Sequence, residues 1–328
     1  MPAVWPSAEA LASLKRYQRV FISLLPKAEL HAHLNGCIPL ETLRELAKDY
    51  APPEGSPIVD LTALASGVEL KEIHDFFKLF PAIYAITATP DALRIATVAV
   101  VEQFIGMEPD ARAQGCAYLE LRTTPRETAT MTRRVYLETV LDVLERYPAG
   151  RAGLLVSVSR EMEESVVQEV IDTAIALKDE GRRVVGVDLC GQPLHLARAK
   201  EAGLRLTVHV AEPDRLGHAT FLNEEARQFV EANRIPIEIC LSSNLLCKTA
   251  PTIDDHHVKH WILKDHPVAI CTDDTLVFKS TLAGEYALLM AAPPLGLGLS
   301  ESQIESIAKG GLDSSFGPKP HVEANGTS

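Results

Sequence analysis

Residues 25–36 read LPKAELHAHLNG. Inside this stretch an apolar, strand-like run, 28–33, ends in His31-Ala32-His33. Residues i and i+2 of a strand point to the same face, so both imidazoles can reach one ion. Seven more short runs of this kind follow, at 117–122, 153–158, 184–190, 205–210, 216–220, 236–243 and 267–274. Most are near-continuous stretches of Val, Ile and Leu, the pattern of strands buried on both faces. Helical patterns lie between them, at 91–112, 132–146, 161–180, 224–233 and 256–264. Strand–helix alternation predicts a parallel sheet. Eight repeats predict an α/β fold closed into a (β/α)8 barrel of the TIM type, in preference to an open doubly wound sheet.

The chain has 328 residues and is 46% hydrophobic, enough for one barrel with a sizeable core. Residues 1–310 are read as a single barrel domain. Residues 51–68 are read as a loop within an insertion after the first strand. Residues 311–328 are read as a disordered tail, and the chain after Ala292 as lacking a full closing helix. A net charge of −12 argues against a nucleic-acid surface. No run of about 18 apolar residues occurs, so no membrane span is expected, and the first twenty residues do not have the pattern of a secretory signal. Six cysteines (37, 116, 190, 240, 247 and 271) are widely spaced without a CxxC pair. Reduced thiols and a cytoplasmic location are the expectation, with a small-molecule ligand and a monomeric state.

Metal-ligand residues gather at the ends of the predicted strands, where barrels build their active sites. His31 and His33 end the first. His209 ends the fifth, with Glu212 three residues on. His218 lies on the sixth, and Asp273-Asp274 end the eighth. Each feature alone has a plain structural reading: an HxH pair commonly binds nothing, and an Asp pair after a strand is often a helix cap. Their convergence on one end of one barrel supports a zinc shell of three histidines and a carboxylate, with a position open for water.

Several stretches together resemble the adenosine deaminase superfamily: LPKAELHAHLNG (25–36), ELRTTPR (120–126), VVGVDLCG (184–191), HVAE (209–212), LGHATFLN (216–223), CLSSN (240–244) and ICTDDTLVF (270–278). The likeness runs from about residue 23 to 290 and is nearest to the adenosine deaminase-like branch, which acts on N6-methyl-AMP. It implies a metal-dependent hydrolase barrel holding one Zn2+ through His31, His33, His209 and Asp273. It also implies that Glu212 protonates purine N1, that His218 orients and helps deprotonate the attacking water, and that Asp274 holds that water or the leaving amine. Gly191 would offer its backbone N–H to the purine. In the adenosine-specific branch an aspartate usually stands where this chain has Asn35. An uncharged side chain there would not repel a 5′-phosphate, which favours a nucleotide over a nucleoside.

Thr123, Thr124 and Arg126 follow the second strand and have the donors for a phosphate; Arg126 reads equally well as a surface side chain. His74, with Phe76 and Phe77, lies in the insertion, either covering the purine or packing the core. His256 and His257 are read as structural, and Ser242, Ser243 and Asn244 as the rim of the site.

One departure from the pattern is large. Only Pro213 to Gly217 separate Glu212 from His218, whereas parallel neighbours need a crossover of about a dozen residues or more. The fifth barrel helix is therefore expected to be missing, through shortening of the chain or remodelling of the segment. Three functions remain open at this point: N6-methyl-AMP deaminase, adenosine or adenine deaminase, and a shortened non-catalytic form. A bridged two-metal site is disfavoured, because no lysine ends the fourth strand, which reads Asp188-Leu189-Cys190.

Overall fold

The computed structural model describes residues 5–50, 80–106, 115–159, 161–190, 196–208 and 213–318. Eight parallel strands are present: β1 (Lys27–His33), β2 (Cys116–Thr123), β3 (Ala152–Ser159), β4 (Val184–Cys190), β5 (Arg205–Val208), β6 (Leu216–Gly217), β7 (Ile237–Ile239) and β8 (Val268–Ile270). They form two runs, β1-β2-β3-β4-β5 and β6-β7-β8. One parallel bridge joins the runs at each seam, Thr207 with Arg215 and Ala32 with Asp273. The expected eight-stranded barrel is thus formed, with two thin seams.

Among the described residues the helices are α1 (Pro6–Ser13), α2 (Arg16–Leu24), α3 (Leu40–Asp49), α4 (Phe80–Ile86), α5 (Pro90–Ile105), α6 (Arg133–Leu144), α7 (Glu164–Asp179), α8 (Leu196–Glu201), α9 (Glu224–Asn233), α10 (Leu241–Leu246), α11 (Val258–Leu263), α12 (Thr275–Phe278), α13 (Leu282–Met290) and α14 (Glu301–Asp313). Local sequence explains several boundaries. Thr89, Thr132 and Asn223 accept backbone N–H groups as N-caps of α5, α6 and α9. Ser300 and Gln303 form a reciprocal capping box on α14. No single helix among the described residues is long and apolar enough to cross a membrane.

The first four strands match their sequence signals closely, because both faces are buried: β3 is lined by Leu154, Leu155, Val156 and Val158, all at most 1% exposed. The later strands are shorter than expected. The run 216–220 is a strand only at Leu216–Gly217, and 236–243 only at Ile237–Ile239, after which Leu241–Leu246 turns into α10. The run 267–274 is a strand only at Val268–Ile270. Apolar composition marks burial without fixing backbone conformation, so these strand ends and the helix that follows β7 look alike in sequence.

The C-terminal expectations need a larger correction. The chain after Ala292 does supply a closing helix: α14 packs against β8 and β1. Residues 311–318 are not a tail. Leu312 packs against Ala28, Leu30 and their buried neighbours, and Phe316 donates its N–H to Glu120 Oε1 at 2.5 Å. Residues 319–328 lie outside the described part.

Between β5 and β6 the described residues 213–215 form no helix. The N–H groups of Asp214 and Arg215 both donate to Leu206 O, at 2.9 and 3.2 Å. The Asp214 carboxylate accepts from Leu206 N at 3.0 Å and Arg205 Nη1 at 2.6 Å. Among the described residues the two strands share one bridge, Thr207 with Arg215.

Candidate metal and purine site

Glu29, His31 and His33 alternate along β1. The Glu29 carboxylate accepts His31 N at 2.8 Å and Thr272 N at 2.9 Å. It thereby spans the β1–β8 seam where the backbone ladder is sparse; burial raises its pKa to about 7. His31 is 3% exposed. Its Nδ1 bonds Glu238 Oε2 at 2.5 Å, which leaves Nε2 to face Asp273 Oδ1 at 3.9 Å. His33 Nε2 lies 3.5 Å from the same oxygen, and His218 Nε2 lies 3.5 Å from Asp273 Oδ2. Burial, then Arg122, lowers the His31 pKa to about 3, and burial lowers that of His33. Both rings are held neutral, the form that ligates metals.

The backbone does unusual work here. Asp273 and His218 have φ values of 64° and 54°, in the left-handed region that non-glycine residues rarely adopt. The Asp273 carbonyl accepts from His33 N at 3.2 Å and Cys37 Sγ at 3.2 Å. His257 Nε2 bonds the His218 carbonyl at 2.7 Å, so this histidine, read from sequence as structural, anchors the turn that presents His218. Gly36 is required by space, and Gly217 is tightly packed. A Cβ on Gly36 would sit 1.4 Å from Asp274 Oδ1, and one on Gly217 would sit 3.0 Å from His31 Cε1.

A buried ionic network underlies the histidines. Glu238 accepts from Arg122 Nη2 at 2.8 Å, Arg215 Nε at 2.5 Å and Thr207 Oγ1 at 3.0 Å. Burial alone would raise its pKa, but Arg122 and Arg215 hold the carboxyl well below its ordinary value. Arg122 also faces Asp188 at 3.3 Å and donates to Leu30 O at 2.5 Å. A carboxylate behind a ligating histidine fixes its tautomer and direction, and Glu238 is placed to do this for His31.

Donor atoms of His31, His218, Cys240 and Asp273 lie within 4.8 Å of one another. Nitrogen, sulfur and carboxylate donors suit a borderline divalent metal. His218 Nδ1 and Asp274 Oδ1 are buried and find no hydrogen-bond partner among the described residues. Asp274 is 2% exposed; burial, then its neighbour Asp273, pushes its carboxyl pKa upward. His31, His33, His218, Asp273 and Asp274 are thus brought together, whereas His209, Glu212, Gly191 and His74 lie outside the described residues.

Beside this group runs a polar chain. Asn35 Oδ1 accepts from Tyr136 Oη at 3.3 Å, and Tyr136 Oη shares a hydrogen bond of 2.8 Å with Thr123 Oγ1. Asn35 Nδ2 is buried and without a partner among the described residues. Thr124 is half-buried. The guanidinium carbon of Arg126 lies 3.4 Å from the Tyr84 ring centroid, so the exposed arginine is held by stacking. Ser242, Ser243 and Asn244 are 0%, 6% and 2% exposed and lie on α10; the Ser243 side chain bonds Asp273.

Sequence reading missed Glu238, Arg215, Cys240, Tyr84 and Tyr136. Glu238 and the Glu120/Arg122 pair did carry a signal: charged residues inside otherwise apolar strands seldom occur unpaired. The tyrosines carried none, since they lie on helices among other apolar residues.

The adenosine deaminase family model matches residues 26–324. The chain is 35% identical over 306 residues to N6-methyl-AMP deaminase of Homo sapiens, covering 82% of this chain and 83% of that one. It is 33% identical to the adenosine deaminase-like protein of Drosophila melanogaster, covering 84% and 88%. The crystal structure of Arabidopsis ADAL complexed with IMP superposes with a TM-score of 0.76 at 32% identity, covering 90% and 93%.

Proposed function

Because this chain belongs to the adenosine deaminase family of hydrolytic deaminases, we propose that it hydrolyses the exocyclic C–N bond of a 6-aminopurine nucleotide, with N6-methyl-AMP as substrate. Water adds at C6, the C6–N bond breaks, and the products are IMP and methylamine. The observation that carries this reading is the convergence of three imidazole Nε2 atoms, from His31, His33 and His218, on the one Asp273 carboxylate.

The residues fit a zinc ion. His31 and His33 are neutral, His31 is already oriented by Glu238, and Asp273 faces both. We assign His31, His33, Asp273 and, from the HVAE motif, His209 as its ligands. When bound, zinc brings the pKa of a coordinated water from about 15.7 to about 7.

The chain's own groups then do the following. His218, on its rigid left-handed turn, orients the attacking water and accepts its proton. Glu212 gives a proton to N1, where charge builds as C6 is attacked. Asp274 sits in space vacated by the missing side chain of Gly36. Its carboxyl there holds the attacking water or the departing amine. Gly191 is assigned to the purine ring and His74 to its cover.

Asn35 favours the monophosphate. Its oxygen is engaged by Tyr136 and its amide N–H groups have no partner among the described residues. It therefore presents a donor, not a carboxylate, to the 5′ side of the ligand. Thr124 and Arg126 supply further donors, and Thr123 acts through Tyr136.

The test is methylamine release by purified protein supplied with zinc, with N6-methyl-AMP and adenosine compared. Turnover of the monophosphate over the nucleoside is expected. Asn35→Asp should shift the kcat/KM ratio toward the nucleoside; an unchanged ratio would remove Asn35 from phosphate recognition. Zinc-loaded protein that releases no amine would mean that the short β5–β6 connection has abolished catalysis.

A further inference from the structure

The segment that follows α14 lies against the end of the barrel opposite His33 and Asp273, near the start of β2 and β4. Arg215 Nη1 donates to Ser314 O at 2.9 Å, and the Phe316 ring centroid lies 3.8 Å from the Arg215 guanidinium carbon. Phe316 N donates to Glu120 Oε1 at 2.5 Å, and Glu120 Oε2 accepts from Arg215 Nη2 at 2.7 Å. The fit is close. A Cβ on Gly317 would meet Tyr118 Oη at 2.0 Å, and one on Gly186 would meet Phe316 Cδ2 at 3.1 Å. Arg215 is 0% exposed. Its remaining donor, Nε, reaches Glu238 Oε1 at 2.5 Å, and Glu238 Oε2 bonds His31 Nδ1 at 2.5 Å.

We propose that residues 314–317 brace the metal site from the far end of the barrel, with Arg215 and Phe316 as positioning residues for His31. A guanidinium is a planar fork, so fixing two of its nitrogens and one face fixes the direction of the third. Ser314 O, Glu120 and the Phe316 ring fix those elements, and Nε is thereby aimed at Glu238. Glu238 in turn holds His31 as the tautomer protonated on Nδ1, with Nε2 toward Asp273. The brace acts where the barrel is thin among the described residues: Arg215 belongs to the β5–β6 seam, and its backbone meets β5 through the Thr207–Arg215 bridge.

The inference rests on the metal reading of His31, and the experiment separates the two. Zinc affinity is measured by chelator competition, and the ring-nitrogen chemical shifts of His31 are recorded by NMR on metal-free protein. If the unaltered protein binds no zinc, the metal reading fails. If it binds zinc, Phe316→Ala is expected to weaken binding about tenfold, the lower end of the roughly 10–100-fold loss for outer partners of a ligand. It should also move the His31 shifts toward a mixture of tautomers. Phe316→Tyr, which keeps a ring on the guanidinium, should restore both. A merely structural plug would lower the melting temperature and leave zinc affinity and the His31 shifts of the folded protein unchanged; that result overturns the proposal. Should Phe316→Ala fail to fold, Phe316→Leu retains apolar cover without the π face and carries the same test.

Discussion

The two runs of the barrel are built differently. The run β1–β5 has strands of four to eight residues, most with extended registers, such as five consecutive pairs between β2 and β3. The run β6–β8 has strands of two or three residues. Yet the short run and the loops that leave it supply His218, Cys240, Asp273 and Asp274, together with Glu238 behind His31. The long run supplies a regular, apolar wall and the HxH pair, and the proposed roles of Gly191, His209 and Glu212 fall just beyond its β4 and β5. Short strands release the chain early, and the residues just beyond them adopt the left-handed turns at His218 and Asp273 that aim side chains inward. In this molecule regular structure provides the frame and its early termination provides the reactive geometry.

The difference can be tested by substitution on each side. The largest effect is expected from Glu238→Ala, which takes one of two buried carboxylate partners from each of Arg122 and Arg215. Removing one partner of a buried ion pair costs about 3–5 kcal/mol, measurable by denaturant unfolding, and metal affinity should fall with it. A small loss would mean that the network is solvated and that the short run is not organised around it.

Next, Leu154→Ala in β3 should cost about 2–5 kcal/mol of stability while kcat at a temperature of full folding stays unchanged. Gly36→Ala should do the reverse. Displacing Asp274 by even about 1 Å is expected to lower kcat on the order of 100-fold, with a smaller change in unfolding free energy. If the glycine variant loses stability and keeps its rate, the division between frame and site is wrong.

The smallest effect concerns Glu285 of α13, fully buried, whose pKa burial raises to about 8. Its carboxylate accepts the α10 N–H of Ser242 at 3.1 Å. A carboxyl with a raised folded pKa binds its proton more tightly in the native state. Its contribution to stability is therefore fully present below the unfolded value of 4.5 and declines as pH rises toward about 8. Glu285→Gln should gain stability relative to the unaltered protein between those limits, and melting temperatures across that range would reveal a flat difference if Glu285 is not so buried.

Legibility followed the same division. The runs at 28–33, 117–122, 153–158 and 184–190 fall within the observed strands to about one residue, because burial on both faces leaves an unbroken apolar signature. The runs at 216–220, 236–243 and 267–274 were overextended. Ser242 and Asn244 sit in a helix, and His218 and Asp273 sit in turns set by tertiary contacts that no local pattern records. Residue types at strand ends pointed to His31, His33, His218 and Asp273, which the fold brings close together, since that rule needs only their order along the chain. Glu238 was legible as a charge in apolar surroundings, whereas Arg215, beside Asp214 in a polar stretch, was not, and their meeting depends on barrel closure. The C-terminal helix was misread because Gly310 and Gly311 suggest a break, whereas in α14 they lie close to β8: a Cβ on either would come within 3.6 Å of Val268 or Ala269 backbone.

The single-bridge seams set how this barrel would come apart. A cylinder with one backbone bridge at each of two joints among its described residues relies there on side chains and on α14, so the three-stranded arc should open before the long run unfolds. Amide protons inside β2 and β3 would then exchange with solvent at the rate of whole-molecule unfolding, while those of Leu216 and His218 would exchange through a cheaper, partial opening. Ligand binding across the Ala32–Asp273 joint would clamp the arc shut and slow exchange on both sides of it.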